Sequence, residues 1–234
     1  MKRLEKLYEG KAKALYSTED PDLLIQYFKD EATAFDGMKK GIIKDKGILN
    51  NKISSRIFRM LEAKGVKTHF VDMPSDREML VKRLRILPIE VVVRNIAAGS
   101  LAKRMGIDEG IPLKETIIEL YYKSDPLHDP MINEYHIKAF GLAEAGQLRQ
   151  METASLKVNR ILSEFFNERG IILVDFKLEF GVHKDEVLLG DEITPDGCRL
   201  WDKVTSEKLD KDRFRRDLGK VEEAYQEVLR KVLE

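Results

Sequence analysis

The sequence predicts an α+β fold, with an antiparallel, strand-rich N-terminal lobe over residues 1–85 and a larger α+β lobe over residues 86–234. Three observations carry this. The start of the chain is a series of short apolar runs separated by Gly, Pro and Asp. Two later segments, 45–64 and 145–168, repeat apolar residues at three- and four-residue spacing. Residues 173–181 alternate charged and apolar side chains, the period-two pattern of a strand with unlike faces.

Residues 4–8 and 12–16 read as strands on either side of Gly10, and 23–28 as a third, with turns at Asp20, Pro21 and Gly37. Residues 45–64 form a helix, capped by Asp45 and stopped by Gly65, with Leu49, Ile53, Ile57, Met60 and Leu61 on one face. Strands over 66–71, 78–86 and 89–94 follow, and Gly99-Ser100 opens a short helix through Met105. Residues 117–123 read as a strand, and 124–133, with two Asp-Pro pairs, as a loop. The longest helix, 145–168, carries Leu148, Met151, Leu156, Ile161, Leu162 and Phe165, with Gly170 as its stop. Residues 171–182 and 187–193 are expected to pair as a hairpin, and 210–234 to form a helix in two pieces parted at Gly219.

With 43% apolar and 35% charged residues the chain has the composition of a folded protein. Its 41 Lys and Arg balance 41 Asp and Glu. Such a chain has no global field to draw a polyanion, which disfavours a nucleic-acid binder; phosphate recognition must come from a local cluster. The single cysteine, Cys198, excludes an intrachain disulfide and fits a reducing compartment. Residues 1–5 lack the apolar core of a signal peptide, and no apolar run approaches the roughly 20 residues of a membrane span. A soluble, cytoplasmic protein with no membrane partner is expected.

Three segments can carry chemistry. In Tyr8-Glu9-Gly10-Lys11-Ala12-Lys13 the glycine lets backbone approach a phosphate, and Lys11 and Lys13, two apart, share one side of a strand. Taken alone, the segment fits an exposed hairpin with solvated lysines more readily. In Leu173–Gly181, Asp175, Lys177 and Glu179 occupy one strand face. If the hairpin turns about Asp185, Glu179 lies opposite Asp191; a register shifted by one sends Asp191 to the other face. Two opposed carboxylates repel unless a cation lies between them, and hard oxygen ligands suit Mg²⁺. The third segment, residues 86–100, ends an apolar strand with Arg94 and offers an anion the Ser100 hydroxyl and the backbone N–H groups of Gly99-Ser100.

Residues 86–100 and 173–181 resemble the two signature segments of the SAICAR synthetase family. The resemblance extends in order to residues 8–13, Thr33-Ala34-Phe35-Asp36, Asn50-Asn51, Ser54-Ser55, Thr68-His69-Phe70 and residues 191–202. The family usually has Ser where this chain has Thr33, which keeps the hydroxyl.

The resemblance implies an ATP-dependent ligase that joins L-aspartate to the carboxylate of carboxyaminoimidazole ribotide (CAIR), on a fold related to ATP-grasp and protein-kinase nucleotide clefts. It implies ATP phosphates at Lys11, Ala12 and Lys13, with adenine at Val81, Lys82, Arg83 and Ile86. Mg²⁺ would lie at Glu179 and Asp191, and the CAIR phosphate at Arg94, Ser100 and Arg199. Lys177 and Asp175 would face the reacting carboxylate, with Asp36 and Asp129 near the second substrate. A homodimer is common in the family. Apart from the resemblance, two rival readings stand: a small-molecule kinase, which shares the ATP and Mg²⁺ features, and a non-catalytic nucleotide sensor, which would bind ATP but has no need for both Glu179 and Asp191 beside Lys177.

Overall fold

The computed structural model describes residues 1–34 and 37–234. Strands β1 (Lys6–Glu9), β2 (Lys13–Ser17) and β3 (Leu23–Phe28) form an antiparallel meander. A short ribbon, β4 (Glu31–Ala34) with β5 (Lys39–Ile42), leads into α1 (Lys46–Ala63). Two strands, β6 (Phe70–Ser75) and β7 (Glu78–Lys82), complete a five-stranded sheet ordered β1-β2-β3-β7-β6. β8 (Arg85–Ile96), α2 (Gly99–Met105) and β9 (Pro112–Tyr122) follow, then a 3-10 turn (Asp125–Leu127), β10 (Met131–Ile132) and α3 (Glu134–Phe140). The rest is α4 (Ala145–Glu168), β11 (Ile171–His183), β12 (Glu186–Leu189), β13 (Cys198–Asp202), α5 (Asp212–Arg215) and α6 (Val221–Leu233).

The second sheet runs β10-β9-β8-β11-β12, with β13 also paired to β11. β11 is its spine: β8 flanks it on one edge, while β13 and β12 share the other. Its apolar residues Phe176, Leu178 and Phe180 are buried in the core with Val158, Ile161, Leu162 and Phe165 of α4. Asp175, Lys177 and Glu179 occupy the opposite face, as period-two alternation requires. All strands of the first sheet lie within residues 6–82 and all of the second within 85–202.

The expected strand 78–86 is broken at Arg83-Leu84, where the chain passes from one sheet to the other. Leu84 is held there because its side chain lies against two glycines. A Cβ on Gly181 would stand 2.7 Å from Leu84 Cβ, and one on Gly190 2.8 Å from Leu84 Cδ1. The expected strand 66–71 begins only at Phe70, and the expected loop 124–133 contains a 3-10 turn and the short strand β10. The C-terminal helix is in two pieces as expected, α5 and α6. Asp45 precedes α1 in a left-handed conformation and makes no side-chain cap, contrary to its expected role.

Along α1, Lys46, Asn50 and Ser54 recur every four residues and are all buried. This polar stripe grips the segment after β12. Lys46 Nζ and Asn50 Nδ2 reach Asp196 Oδ2 at 2.8 and 3.0 Å, and Ser54 Oγ accepts the Ile193 amide at 3.2 Å. Asp196 also accepts the Tyr225 hydroxyl at 2.7 Å. A buried ion pair is costly unless its remaining lone pairs are used, and these bonds use them.

His69 packs edge-on against Phe58, with ring centroids 5.4 Å apart. Burial, aided by nearby Lys13, lowers its pKa from 6.5 to about 3. The native ring is therefore neutral where the unfolded chain's ring binds a proton, so stability is lost as pH falls from 6.5 towards 3. Between pH ~7.5 and ~5.5 this residue is expected to remove about 1.4 kcal/mol. Urea unfolding at the two pH values checks it, since His69→Gln should lose that increment.

Candidate active site

A cleft of about 1250 Å³ is lined by the Tyr8–Lys13 turn, β4, β5, Glu90, Lys123, Asp125, Asp129, Lys177, Glu179, Asp191 and Glu192. A second cavity of about 310 Å³ is lined by Val92, Arg94, Asp175, Phe176, Lys177, Asp196, Gly197, Cys198, Arg199, Lys211 and Arg215. Lys177 lines both, from the middle of β11.

In the first cleft, β11 pairs Glu179 with Glu90 of β8. Two like charges directly opposed are destabilising, and two lysines offset them. Lys177 Nζ bonds Glu90 Oε1 at 2.8 Å and Glu179 Oε1 at 2.7 Å, and Lys123 Nζ reaches Glu179 Oε1 at 2.6 Å. Burial alone would raise the Glu179 pKa; Lys177, Lys13 and Lys123 outweigh it and hold this carboxyl well below the usual range. Burial likewise disfavours the charged Lys177, but Glu179 and Glu90 hold it above the usual lysine range. Both groups are ionised at neutral pH.

The ladder pairs Phe180 with Leu189 and His183 with Glu186, around a two-residue turn whose Lys184 and Asp185 both have positive φ. In this register Glu179 faces Gly190, and the Gly190 amide bonds the Glu179 carbonyl at 2.9 Å. The register with Glu179 opposite Asp191 is therefore not the one formed. Asp191 still enters the cleft, because the chain leaves the ladder at this point and Asp191 adopts φ 59°. Its carboxylate meets Lys13 and lies 3.8 Å from Lys177 Nζ.

The turn residues Lys11, Ala12 and Lys13 line the same cleft; Lys11 Nζ lies 2.9 Å from Asp125 Oδ1. Asp129 lines it as well, although its Oδ1 accepts the Ser124 amide at 2.7 Å. Val81, Lys82, Arg83 and Ile86 lie at the passage between the sheets and do not line it. The Lys82 and Arg83 amides are already donated, to His69 and Asp22 carbonyls. Asp36 lies outside the described residues.

In the second cavity Asp175 sits between two guanidinium groups. Arg94 Nη1 reaches it at 2.8 Å, and Arg199 Nη1 reaches its two oxygens at 3.1 and 2.8 Å. Arg94 also bonds Glu119 Oε2 at 2.7 Å and Ser100 Oγ at 3.0 Å. The Arg199 guanidinium packs against Gly99, where a Cβ would stand 2.4 Å from its Nη2, and where φ is +52°. Burial pushes the Cys198 thiol up, so it offers no nucleophile.

The sequence reading missed Glu90, Lys123, Lys211 and Arg215. Glu90 was legible, since Glu90, Val92 and Arg94 share one face of β8 by period two. Lys211 and Arg215 are four apart at a helix start, but nothing local says what they face.

Among the described residues no three His, Cys, Asp or Glu side chains converge as a ligand set. Glu179 and Asp191 offer two carboxylates, which fits Mg²⁺ held by one or two carboxylates together with water and substrate phosphates.

The model of the SAICAR synthetase family matches residues 6–232. The chain belongs to the SAICAR synthetase family. It is 58% identical to the phosphoribosylaminoimidazole-succinocarboxamide synthase of Caldanaerobacter subterraneus over 232 residues, 99% of each chain. The crystal structure of the Ehrlichia chaffeensis synthase superposes with TM-score 0.96 at 54% identity, covering 98% of both chains. A SAICAR synthetase solved in complex with ADP matches with TM-score 0.94 at 51% identity, covering 96% of both chains.

Proposed function

We infer that the protein joins the amine of L-aspartate to the carboxylate of CAIR, converting ATP to ADP and phosphate, in purine biosynthesis. The observation that carries the site assignment is the position of Lys177, a residue that lines both the lysine-lined cleft and the arginine-lined cavity. A donor nucleotide in one and a carboxylate substrate in the other would meet at this residue.

A carboxylate is a poor electrophile because its leaving group would be oxide. Attack by one of its oxygens on the γ-phosphorus forms an acyl phosphate and releases ADP. The aspartate amine then displaces phosphate and loses a proton. Lys13 and Lys177 balance the charge that moves across the transferring group. Lys11, Ala12 and Lys13 hold the nucleotide phosphates, and the passage formed by Val81, Lys82, Arg83 and Ile86 receives adenine. Glu179 and Asp191 hold Mg²⁺, which when bound would offset phosphate charge. Arg94, Ser100 and Arg199 grip the CAIR phosphate, with Asp175 orienting the two guanidinium groups. Asp129 is assigned to the substrate side of the cleft, and Asp36, outside the described residues, to the second substrate on the family resemblance alone. No protein nucleophile is required.

An ADP-release assay with CAIR and aspartate omitted in turn tests the reaction. Sustained ADP release without aspartate would favour a kinase. Arg199→Ala is expected to raise the KM for CAIR about ten- to a hundredfold, the loss of a charged hydrogen bond, with the KM for ATP little changed. Equal weakening of both would move Arg199 out of the CAIR site. We assign the protein to the cytoplasm and to a homodimeric assembly, which sedimentation velocity tests. No described helix is long and apolar enough to cross a membrane.

A further inference from the structure

The two arginines that line the second cavity from β13 and α5 are held by one carboxylate that does not line it. Arg199 Nε donates to Asp212 Oδ2 at 2.9 Å, and Arg215 Nη1 donates to Asp212 Oδ1 at 2.7 Å. Asp212 is 1% exposed. Each of its oxygens is thus given to a different guanidinium group. Burial would raise its pKa, but Arg199 and Arg215 hold it below the usual carboxylate range.

Asp212 is itself fixed. Its amide donates to Asp210 Oδ1 at 2.7 Å, while Asp210 Oδ2 accepts the Leu200 amide at 2.8 Å. Asp210 therefore ties the residue after Arg199 to the start of α5, setting the spacing of the strand and helix that bear the two arginines. Asp210 is wholly buried.

The physical need is plain. Two guanidinium groups facing one small cavity repel each other, and long side chains lose rotamer freedom when held in one geometry. A buried carboxylate between them offsets the repulsion and fixes both forks before an anion arrives. On its other side Arg199 is held by Asp175 and packs on Gly99, so carboxylates grip it from two directions.

We propose that Asp212, set in place by Asp210, is a positioning residue that preorganises Arg199 and Arg215 as one cradle for the phosphate of the ribonucleotide substrate. The proposal rests on the reading above that this cavity takes the CAIR phosphate.

The test is a kinetic cycle of wild type, Asp212→Asn, Arg199→Ala and the double variant, with KM measured for all three substrates. Asp212→Asn is expected to raise the KM for CAIR about tenfold, with kcat and the other two KM values within about twofold. In the double variant the KM for CAIR should exceed that of Arg199→Ala by clearly less than the effect of Asp212→Asn in wild type, because the share of that effect carried by Arg199 is already lost and only the share carried by Arg215 remains. An unchanged KM in Asp212→Asn, where Arg199→Ala raises it, overturns the positioning role and leaves the cavity assignment standing. Additive effects, or equal changes in kcat and every KM, also overturn it, the latter as the mark of a purely structural residue. If Arg199→Ala leaves the KM for CAIR unchanged, the cavity assignment falls and the proposal with it. Should Asp212→Asn fail to fold, Asp212→Glu keeps the charge but displaces it by one methylene. It is then expected to raise the KM for CAIR alone by about threefold, and no change overturns the proposal.

Discussion

Asp191→Asn is expected to lower kcat by about two orders of magnitude or more while leaving the thermal transition nearly unchanged. The position has φ 59°, a left-handed conformation that Asn accepts about as readily as Asp, so the backbone after β12 keeps its path. Side-chain volume is also kept. Only the charge is lost, and that charge faces Lys13 and Lys177 in the cleft. It is also one of the two carboxylates assigned to Mg²⁺. Removing one preorganised electrostatic contributor of this kind costs about 10²–10³ in kcat. ADP release at saturating substrates measures it. A variant with kcat within a factor of about three of wild type would withdraw Asp191 from the reacting centre.

Lys177→Met carries the second large effect, an expected loss of about three orders of magnitude in kcat with smaller changes in KM. Methionine keeps most of the apolar stem but removes the ammonium group of the residue that lines both cavities. Its loss leaves the cross-strand carboxylates Glu90 and Glu179 with Lys123 as the nearer remaining cation, 2.6 Å from Glu179 and 4.0 Å from Glu90. The cleft therefore loses charge balance at the point where phosphoryl oxygens and carboxylate are assigned to meet. Single-turnover ADP formation, which excludes product release, is the direct readout. Retention of more than about a tenth of the wild-type rate would place the phosphoryl step elsewhere.

The order of elements was legible where the pattern is local. Period two in residues 173–181 placed Asp175, Lys177 and Glu179 on one face, and helical spacing placed α1 and α4, because both periods follow from backbone geometry alone. The hairpin register was not legible. The turn residues Lys184 and Asp185 carry no Gly or Asn to announce a two-residue turn with both φ positive, so a one-residue ambiguity remained. Asp191 was still found, for a reason outside the ladder: its left-handed backbone returns the side chain to the cleft.

Lys123 and Lys211 were missed for a different reason. Each reaches its cavity through tertiary packing, Lys123 from just beyond the end of β9 and Lys211 from just before α5, and no local periodicity marks a residue in such a place. The polar stripe of Lys46, Asn50 and Ser54 has helical spacing, yet its partner Asp196 lies 150 residues from Lys46. Long-range ion pairs are invisible to a window of one or two turns. The assignment of substrates rested on the family resemblance, and the family model and close relatives now stand behind it.

If the substrate carboxylate attacks the γ-phosphorus of ATP, the fate of its oxygens shows it most directly. CAIR labelled with oxygen-18 at both carboxylate oxygens is turned over with ATP and aspartate, and the released phosphate is analysed by mass. The attacking oxygen leaves with phosphate when the amine displaces it, so one labelled oxygen per phosphate is predicted, with the other retained in the product amide. Unlabelled phosphate, formed at the same rate as the ligated product, would contradict carboxylate activation by phosphoryl transfer.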